Sequence, residues 1–397
     1  MTGPCQHFVP AITPVDQAVV AETPDESSSR LREATAADEA TWQAVVTAND
    51  SGDFLHDWGW GAVAAHDREP QRRFVLEEDG QVAGVVAAQT RSMLGALSSW
   101  YVPHGPVLDY RHPHAGKRLR AIIDGLSAAA REAGAIAVRL EPRLERDSPE
   151  AALMDELGLR ADRGTRQVGQ TQIVDLDSEE DAILAAAEGP TRRKIRRAGR
   201  DGVTVDVVRD PADTGAVERL AQLVRETEHR SGARGRGVER IGVAWHQLAS
   251  RGRAAIVEAS FRRRIMASGM VVLEGDQSFY LFSGSRREAA GEPKHFPSYA
   301  MLWGMTRLAR SLGSRAHDLW GIEPPGAGSE HPWHGIGTFK RSFGGRSVVW
   351  AGSWDLVLRP NLYGLHRSLT RTWRTRTRLA GMRTAAMRHH GHQAGPV

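Results

Sequence analysis

The chain has 397 residues, 41% hydrophobic and 25% charged, the balance of a globular protein too long for one ordinary core. Its formal charge of +4 is too small to define a bulk polycation. Its single cysteine, Cys5, excludes a disulfide framework or a cysteine zinc site and suits a reducing cytoplasm, and no run of eighteen apolar residues is present to span a bilayer.

Residues 1–33 are rich in Pro, Ser, Thr, Asp and Glu, lack the features of a signal peptide, and read as a flexible leader. Residues 37–49 then have helical spacing. Short apolar runs at 73–77 and 82–89, separated by Glu-Asp-Gly, predict a hairpin, and 91–101 a third strand ending at Pro103. Residues 116–134 predict a helix with a glycine stop, followed by a strand at 135–140. Helix, antiparallel strands, helix and strand in that order make an α+β layout, not a doubly wound sheet.

A similar order recurs. A strand at 172–176 and a helix at 179–187 lead to a helix with Pro190 near its first turn and Gly202 at its end. Helices at 212–229 and 242–251 precede strands at 254–259, 265–273 and 277–284. A helix at 297–312 and a closing strand at 316–320 complete the unit. The expected organisation is a leader 1–33, a first unit 34–165 that recovers about 346–365, a second unit 166–345, and a tail 366–397.

Charge is clustered. Arg192, Arg193, Lys194, Arg196, Arg197 and Arg200 crowd one short helix, and seven arginines without an acid lie between Arg367 and Arg388. Such clusters suit an anionic partner, nucleic acid or an acidic membrane surface, or are simply solvated faces. On the helix, Arg192, Ile195 and Arg196 share one side while Arg193, Arg197 and Arg200 share another. Two further segments can carry chemistry. The turn from Trp100 to Asp109 joins a strand end to a carboxylate. The segment Gly335 to Gly345 sets Lys340 and Arg341 in a glycine-flanked loop, where a ligand can approach the backbone. His389, His390 and His392 read as part of a tail rather than as a metal site.

These segments, in this order and at these separations, resemble the Fem family of tRNA-dependent aminoacyltransferases. The resemblance runs through Trp58-Gly-Trp60, the stretch from Gln172 to Val205 and Tyr280 to Ser285. It continues through Pro297 to Trp303, Asp318 to Ile322, Phe339 to Gly345 and Trp354 to Leu356, covering roughly residues 50–365. It implies two acetyltransferase-like (GNAT-like) domains packed together, and transfer of Gly, Ala or Ser from aminoacyl-tRNA to an amine on a peptidoglycan stem peptide.

By motif, Lys340 and Phe339 are expected at the reaction centre, with Asp109 facing the same cleft as orienter or base. Tyr280, Tyr299 and Trp58 are expected to line the substrate groove, and Arg192, Arg193, Arg196 and Arg197 to lie near phosphates. The sequence departs from the family at His104, where the turn usually carries arginine. No cofactor is expected beyond aminoacyl-tRNA as co-substrate, and no metal. An activated ester needs only placement and oxyanion stabilisation, which fits a chain without a Ser-His-Asp or Cys-His set. Arg341 to Arg346 comes nearest to a coenzyme A pyrophosphate turn and ends in the wrong residue, and no Walker loop implies ATP. The acceptor is expected to be a lipid-linked or nucleotide-linked cell-wall precursor, or alternatively a small natural-product amine, with the basic tail resting on anionic lipid. An RNA-binding protein without catalysis is the reading from another class.

Overall fold

The computed structural model describes residues 29–93, 97–162, 164–231, 237–288 and 291–368. Most of the expected leader, Cys5, and the tail arginines and histidines beyond 368 lie outside them. In the first half, β1 (Ser29–Glu33), α1 (Glu39–Ala48), α2 (Trp60–His66), β2 (Gln71–Glu78), β3 (Gln81–Ser92), β4 (Ser98–His104) and β5 (Val107–Leu108) precede α3 (Ala115–Glu132), β6 (Ala135–Pro142), α4 (Pro149–Asp155) and β7 (Arg160–Asp162). β8 (Gln170–Asp175), α5 (Glu180–Ala186), α6 (Gly189–Arg200), β9 (Thr204–Val208), α7 (Thr214–Ser231) and α8 (Glu239–Ala249) open the second half. It continues with β10 (Ala254–Phe261), β11 (Arg264–Glu274), β12 (Gln277–Ser285), α9 (Pro297–Ser311), β13 (Ala316–Gly321), α10 (His334–Arg341), β14 (Arg346–Val349) and β15 (Ser353–Val357).

Local sequence explains many of these elements. Leu119, Ile122, Ile123, Leu126 and Ala130 of α3 recur at helical spacing and are buried, and Gly134, at φ 71°, turns the chain out of the helix. The β2–β3 hairpin turns through Asp79 and Gly80, both at positive φ, the conformation that a two-residue loop between right-twisted strands requires.

The elements form two sheets. The first has the order β1-β2-β3-β4-β6-β15-β7, with β5 pairing β3, and the second β14-β8-β13-β12-β11-β10-β9. Each is covered on both faces, so each builds two layers of core. In the first, Val86, Trp100, Val138 and Leu140 meet the buried stripe of α3, while Val75, Val85 and Ala87 meet Trp42 and Val46 of α1. In the second, Val257, Val271 and Tyr280 meet Ile195 of α6 and the α9 residues Met301, Leu302 and Met305. On its other face Phe54, Leu55, Trp60 and Val63 of the first half pack with Leu220, Ile241 and Trp245.

That last cluster makes the seam between the halves apolar, and polar contacts lock it. Gln43 Nε2 donates to Glu274 Oε1 at 2.6 Å, and the β11–β12 turn lies so close to α1 that a Cβ on Gly275 would sit 2.3 Å from the Thr47 carbonyl. Three expectations change. β1 starts within the expected leader, because Ser29–Glu33 completes the first sheet against β2. β14 pairs with β8 and so belongs to the second sheet; only β15 returns to the first. The strand expected at 91–101 divides, its first residues closing β3 and its last forming β4. Among the described residues no helix is long and apolar enough to cross a membrane.

Candidate active site

Each sheet contains one parallel pair joined by a crossover helix, and the two pairs end differently. In the first sheet β4 and β6 shift register once near their start, between Ser98 and Trp100, and then stay paired without a break from Trp100 opposite Val138 to His104 opposite Pro142. In the second, β12 and β13 pair only through Gln277, Ser278 and Phe279 against Ala316, His317 and Asp318. Beyond that point β12 follows β11 and β13 follows β8, each with one extra residue: Leu281 on β12 and one within Leu319–Trp320 on β13. The strands part, and a notch opens between Tyr280 and Gly321.

Lys340 fills the floor of that notch. It lies near the end of α10, and its Nζ donates to the Gly321 carbonyl at 2.8 Å and sits 5.5 Å from the centre of the Tyr280 ring. The side chain is buried. Desolvation pushes its ammonium down to about 7, against the opposing pull of the Asp318 carboxylate. Tyr280, also buried, has its phenol pushed up to about 12 by desolvation. The notch therefore holds an amine that gains or loses a proton near neutral pH beside a phenol that stays neutral.

Asp318 shapes the β13 side. Its Oδ1 accepts from the Trp320 backbone N–H at 2.7 Å and from the Thr171 hydroxyl, and its Oδ2 faces Arg143 at 3.2 Å. Arg143 belongs to the first half, donates also to the Asp50 carbonyl and Gln277 Oε1, and lies between the rings of Phe279 and Trp350. Two buried carboxylates on opposite sides of the seam, Asp57 and Glu274, share Arg253; burial and mutual repulsion raise Glu274 to about 8.

The expected site residues are distributed unevenly around this notch. Lys340 and Tyr280 come together there. Lys340 is helical, not in a loop, and the glycines after it serve close packing: a Cβ on Gly345 would meet the Ile173 carbonyl at 1.9 Å. The resemblance to a pyrophosphate turn ends there. Phe339, one residue earlier, points to a different side of α10 and packs edge-on to Tyr299 at 5.0 Å and Phe343 at 5.3 Å. Tyr299 lies in this aromatic cluster and not beside Lys340, its hydroxyl receiving a hydrogen bond from Lys194 Nζ at 2.9 Å.

Asp109 does not face the notch. It is exposed on the loop after β5, where its carboxylate accepts from the backbone N–H of Arg111 at 2.9 Å. Trp58 is framework, edge-on to Trp42 at 5.6 Å and under the Arg73 guanidinium at 4.1 Å. On α6 the buried stripe is Thr191, Ile195 and Ala198, so Ile195 does not share an outer face with Arg196. Arg192 donates to the carbonyls of Ala185 and Ala187 at the end of α5, and Arg197 pairs with Asp201 at 3.2 Å. Arg193 and Arg196 are exposed. Sequence reasoning did not single out Asp318, Trp320 or Arg143 for roles at the notch, because their value depends on two bulges and a seam that no local spacing announces.

Residues 189–333 match the acetyltransferase (GNAT) domain family. The chain is 22% identical over 399 residues to a lipid II:glycine glycyltransferase of Staphylococcus aureus (strain MRSA252), covering 81% of this chain and 92% of that protein. The crystal structure of FemX superposes with a TM-score of 0.75 at 19% identity, over 85% of this chain and 99% of that one. The chain resembles the Fem family in sequence and in fold. It is an aminoacyltransferase built from two tandem GNAT-like units. A more distant likeness links it to the C-terminal domain of a putative lysylphosphatidylglycerol synthetase from Agrobacterium fabrum, with a TM-score of 0.52 and 18% identity over 81% of this chain and 92% of that one.

Proposed function

We propose that this chain acts as a Fem-type enzyme, transferring an amino acid from aminoacyl-tRNA to an amine on the stem peptide of a peptidoglycan precursor. The observation that carries the reading is Lys340, a buried amine with a lowered proton affinity at the floor of the splayed β12–β13 pair. The lipid II:glycine glycyltransferases similar to this chain over most of its length support the acceptor class.

The chemistry follows from that geometry. The acceptor nitrogen attacks the ester carbonyl carbon, a C–N bond forms, and the carbonyl electron pair moves onto oxygen. Protonated Lys340 donates a hydrogen bond to that oxyanion. Collapse of the tetrahedral state breaks the bond to the ribose oxygen, which leaves with a proton while the nitrogen loses one. In a notch of low dielectric, a fixed donor to the oxyanion is worth roughly 3 kcal/mol of barrier. The exposed Arg193 and Arg196 supply positive charge for the donor's phosphates, since they lie on α6, which touches the end of α10 through Thr191 and Ser342 at 2.9 Å.

The experiment uses the purified protein with tRNA charged separately with labelled glycine, alanine or serine, and with lipid-linked precursors, nucleotide-linked precursors and soluble natural-product amines as separate acceptors. Label appearing on a precursor supports the proposal and identifies the amino acid. Transfer only to soluble natural-product amines would relocate the acceptor. Binding of tRNA without transfer to any amine would overturn the proposal in favour of an RNA-binding role.

A further inference from the structure

Among the described residues the first half has no open notch of its own, yet its closed β4–β6 pair delivers one side chain to the other half's site. His104 ends β4 in the left-handed region, at φ 49°, and is almost wholly buried. Its Nδ1 bonds the carboxylate of Asp53, which is itself fully buried, while its Nε2 has no partner among the described residues. Burial opposes the charge of Asp53, but His104, Arg143 and His56 hold it below the ordinary carboxylate range. The His104 ring lies 5.5 Å from that of Trp320 and 6.3 Å from that of Trp350. Phe54, adjacent to Asp53, presses on Trp320 at 5.0 Å.

Trp320 is the residue that needs support. It adopts φ 64° in the β13 bulge, a conformation that a bulky side chain holds only where its surroundings over-determine it. The next residue, Gly321, presents the carbonyl that receives Lys340 Nζ. Asp318 fixes the backbone of the bulge from below through the Trp320 N–H, and the first half wedges its ring from the side.

We infer that His104, oriented by Asp53, is a positioning residue for Lys340, acting across the seam by holding Trp320 so that Gly321 meets the amine. The inference rests on the reading of Lys340 as the group at the reaction centre. It also gives His104 a role without substrate contact, in place of the arginine that the sequence resemblance leads one to expect there.

Three variants test it: His104→Ala removes ring and bond, His104→Phe keeps a ring against Trp320, and Asp53→Asn keeps the shape of the carboxylate without its charge. With the bulge released, kcat of His104→Ala is expected to fall about 30-fold, the scale of a small misplacement of a reacting group. Both KM values should stay within about twofold, because neither substrate touches His104. His104→Phe should recover most of kcat. A second readout needs no turnover: competitive acetylation of Lys340 across a pH series, read by peptide mass spectrometry. The half-reaction pH should depart from the native value in His104→Ala, because Lys340 loses its fixed carbonyl acceptor, and move little in His104→Phe.

Unchanged kcat, or a loss of kcat with Lys340 reactivity as in the native protein, would overturn the inference and reduce His104 to a packing residue. Should His104→Ala fail to fold, His104→Phe and Asp53→Asn decide it by the same two readouts. If the native protein transfers no aminoacyl group, the proposed function fails, and the labelling series still decides whether His104 positions Lys340.

Discussion

Replacing Lys340 with methionine should stabilise the protein while removing its turnover, and the stabilisation should depend on pH in a defined way. Methionine is similar in length, fills the same space and carries no charge to desolvate. The Lys340 ammonium has its proton affinity lowered from 10.5 to about 7, which corresponds to about 5 kcal/mol of cost for holding the proton in the folded state. Below pH 7 both folded and unfolded chains hold that proton, so the full cost is present. Between 7 and 10.5 only the unfolded chain holds it, so the native protein gains stability as pH rises. Methionine leaves the Gly321 carbonyl without its donor, which returns roughly 1–3 kcal/mol. Lys340→Met should therefore be more stable than the native chain by about 2–4 kcal/mol at pH 6. The lost hydrogen bond contributes alike at every pH, so the change in the gap isolates the titration: it should shrink by about 2.5 kcal/mol between pH 6 and pH 9. Urea denaturation of both proteins across that range measures it. A gap that stays constant with pH would mean that Lys340 titrates as an ordinary exposed lysine, and the reasoning about the notch would fail with it.

Other outcomes follow from particular contacts. Burial and Asp57 raise Glu274 to about 8, so the folded chain keeps its proton where the unfolded chain has lost it. Native stability should therefore fall as pH rises from 4.5 towards 8, and Glu274→Gln should flatten that slope in a pH series of urea melts. Gly284→Ala would place a Cβ 2.1 Å from the Leu223 carbonyl carbon, whereas at Gly242 the nearest atom is 3.9 Å away. The first should destabilise by roughly 3 kcal/mol and the second should be neutral or stabilise by up to about 1 kcal/mol, read from denaturation midpoints. Changing Arg193 and Arg196 together to alanine should raise KM for the charged tRNA and reduce the salt slope of tRNA binding by about 1–2, with Tm unmoved, since both side chains are exposed. An unaltered salt slope would remove α6 from the donor path.

Much of this protein was determined by its sequence alone. Helical spacing in α3, the Asp79-Gly80 turn and the basic run of α6 are local signals, since each depends on residues a few positions apart, and they sufficed for two α+β units in tandem. The motif around Lys340 was legible too, because a family pattern can be matched residue by residue. What surrounds Lys340 was not. That Phe339 turns away while Lys340 turns in depends on α10 being a helix, which the four glycines in the eleven residues from Gly335 to Gly345 conceal. That Asp109 is an exposed turn residue and His104 a buried wedge depends on which side of a tight turn each faces, and their five-residue separation says nothing of it. The notch itself exists because two parallel strands pair for three residues and then part. Strand separation is a property of pairing between segments far apart in the chain, so only the assembled sheet, and the half packed against it, could decide where the amine would lie.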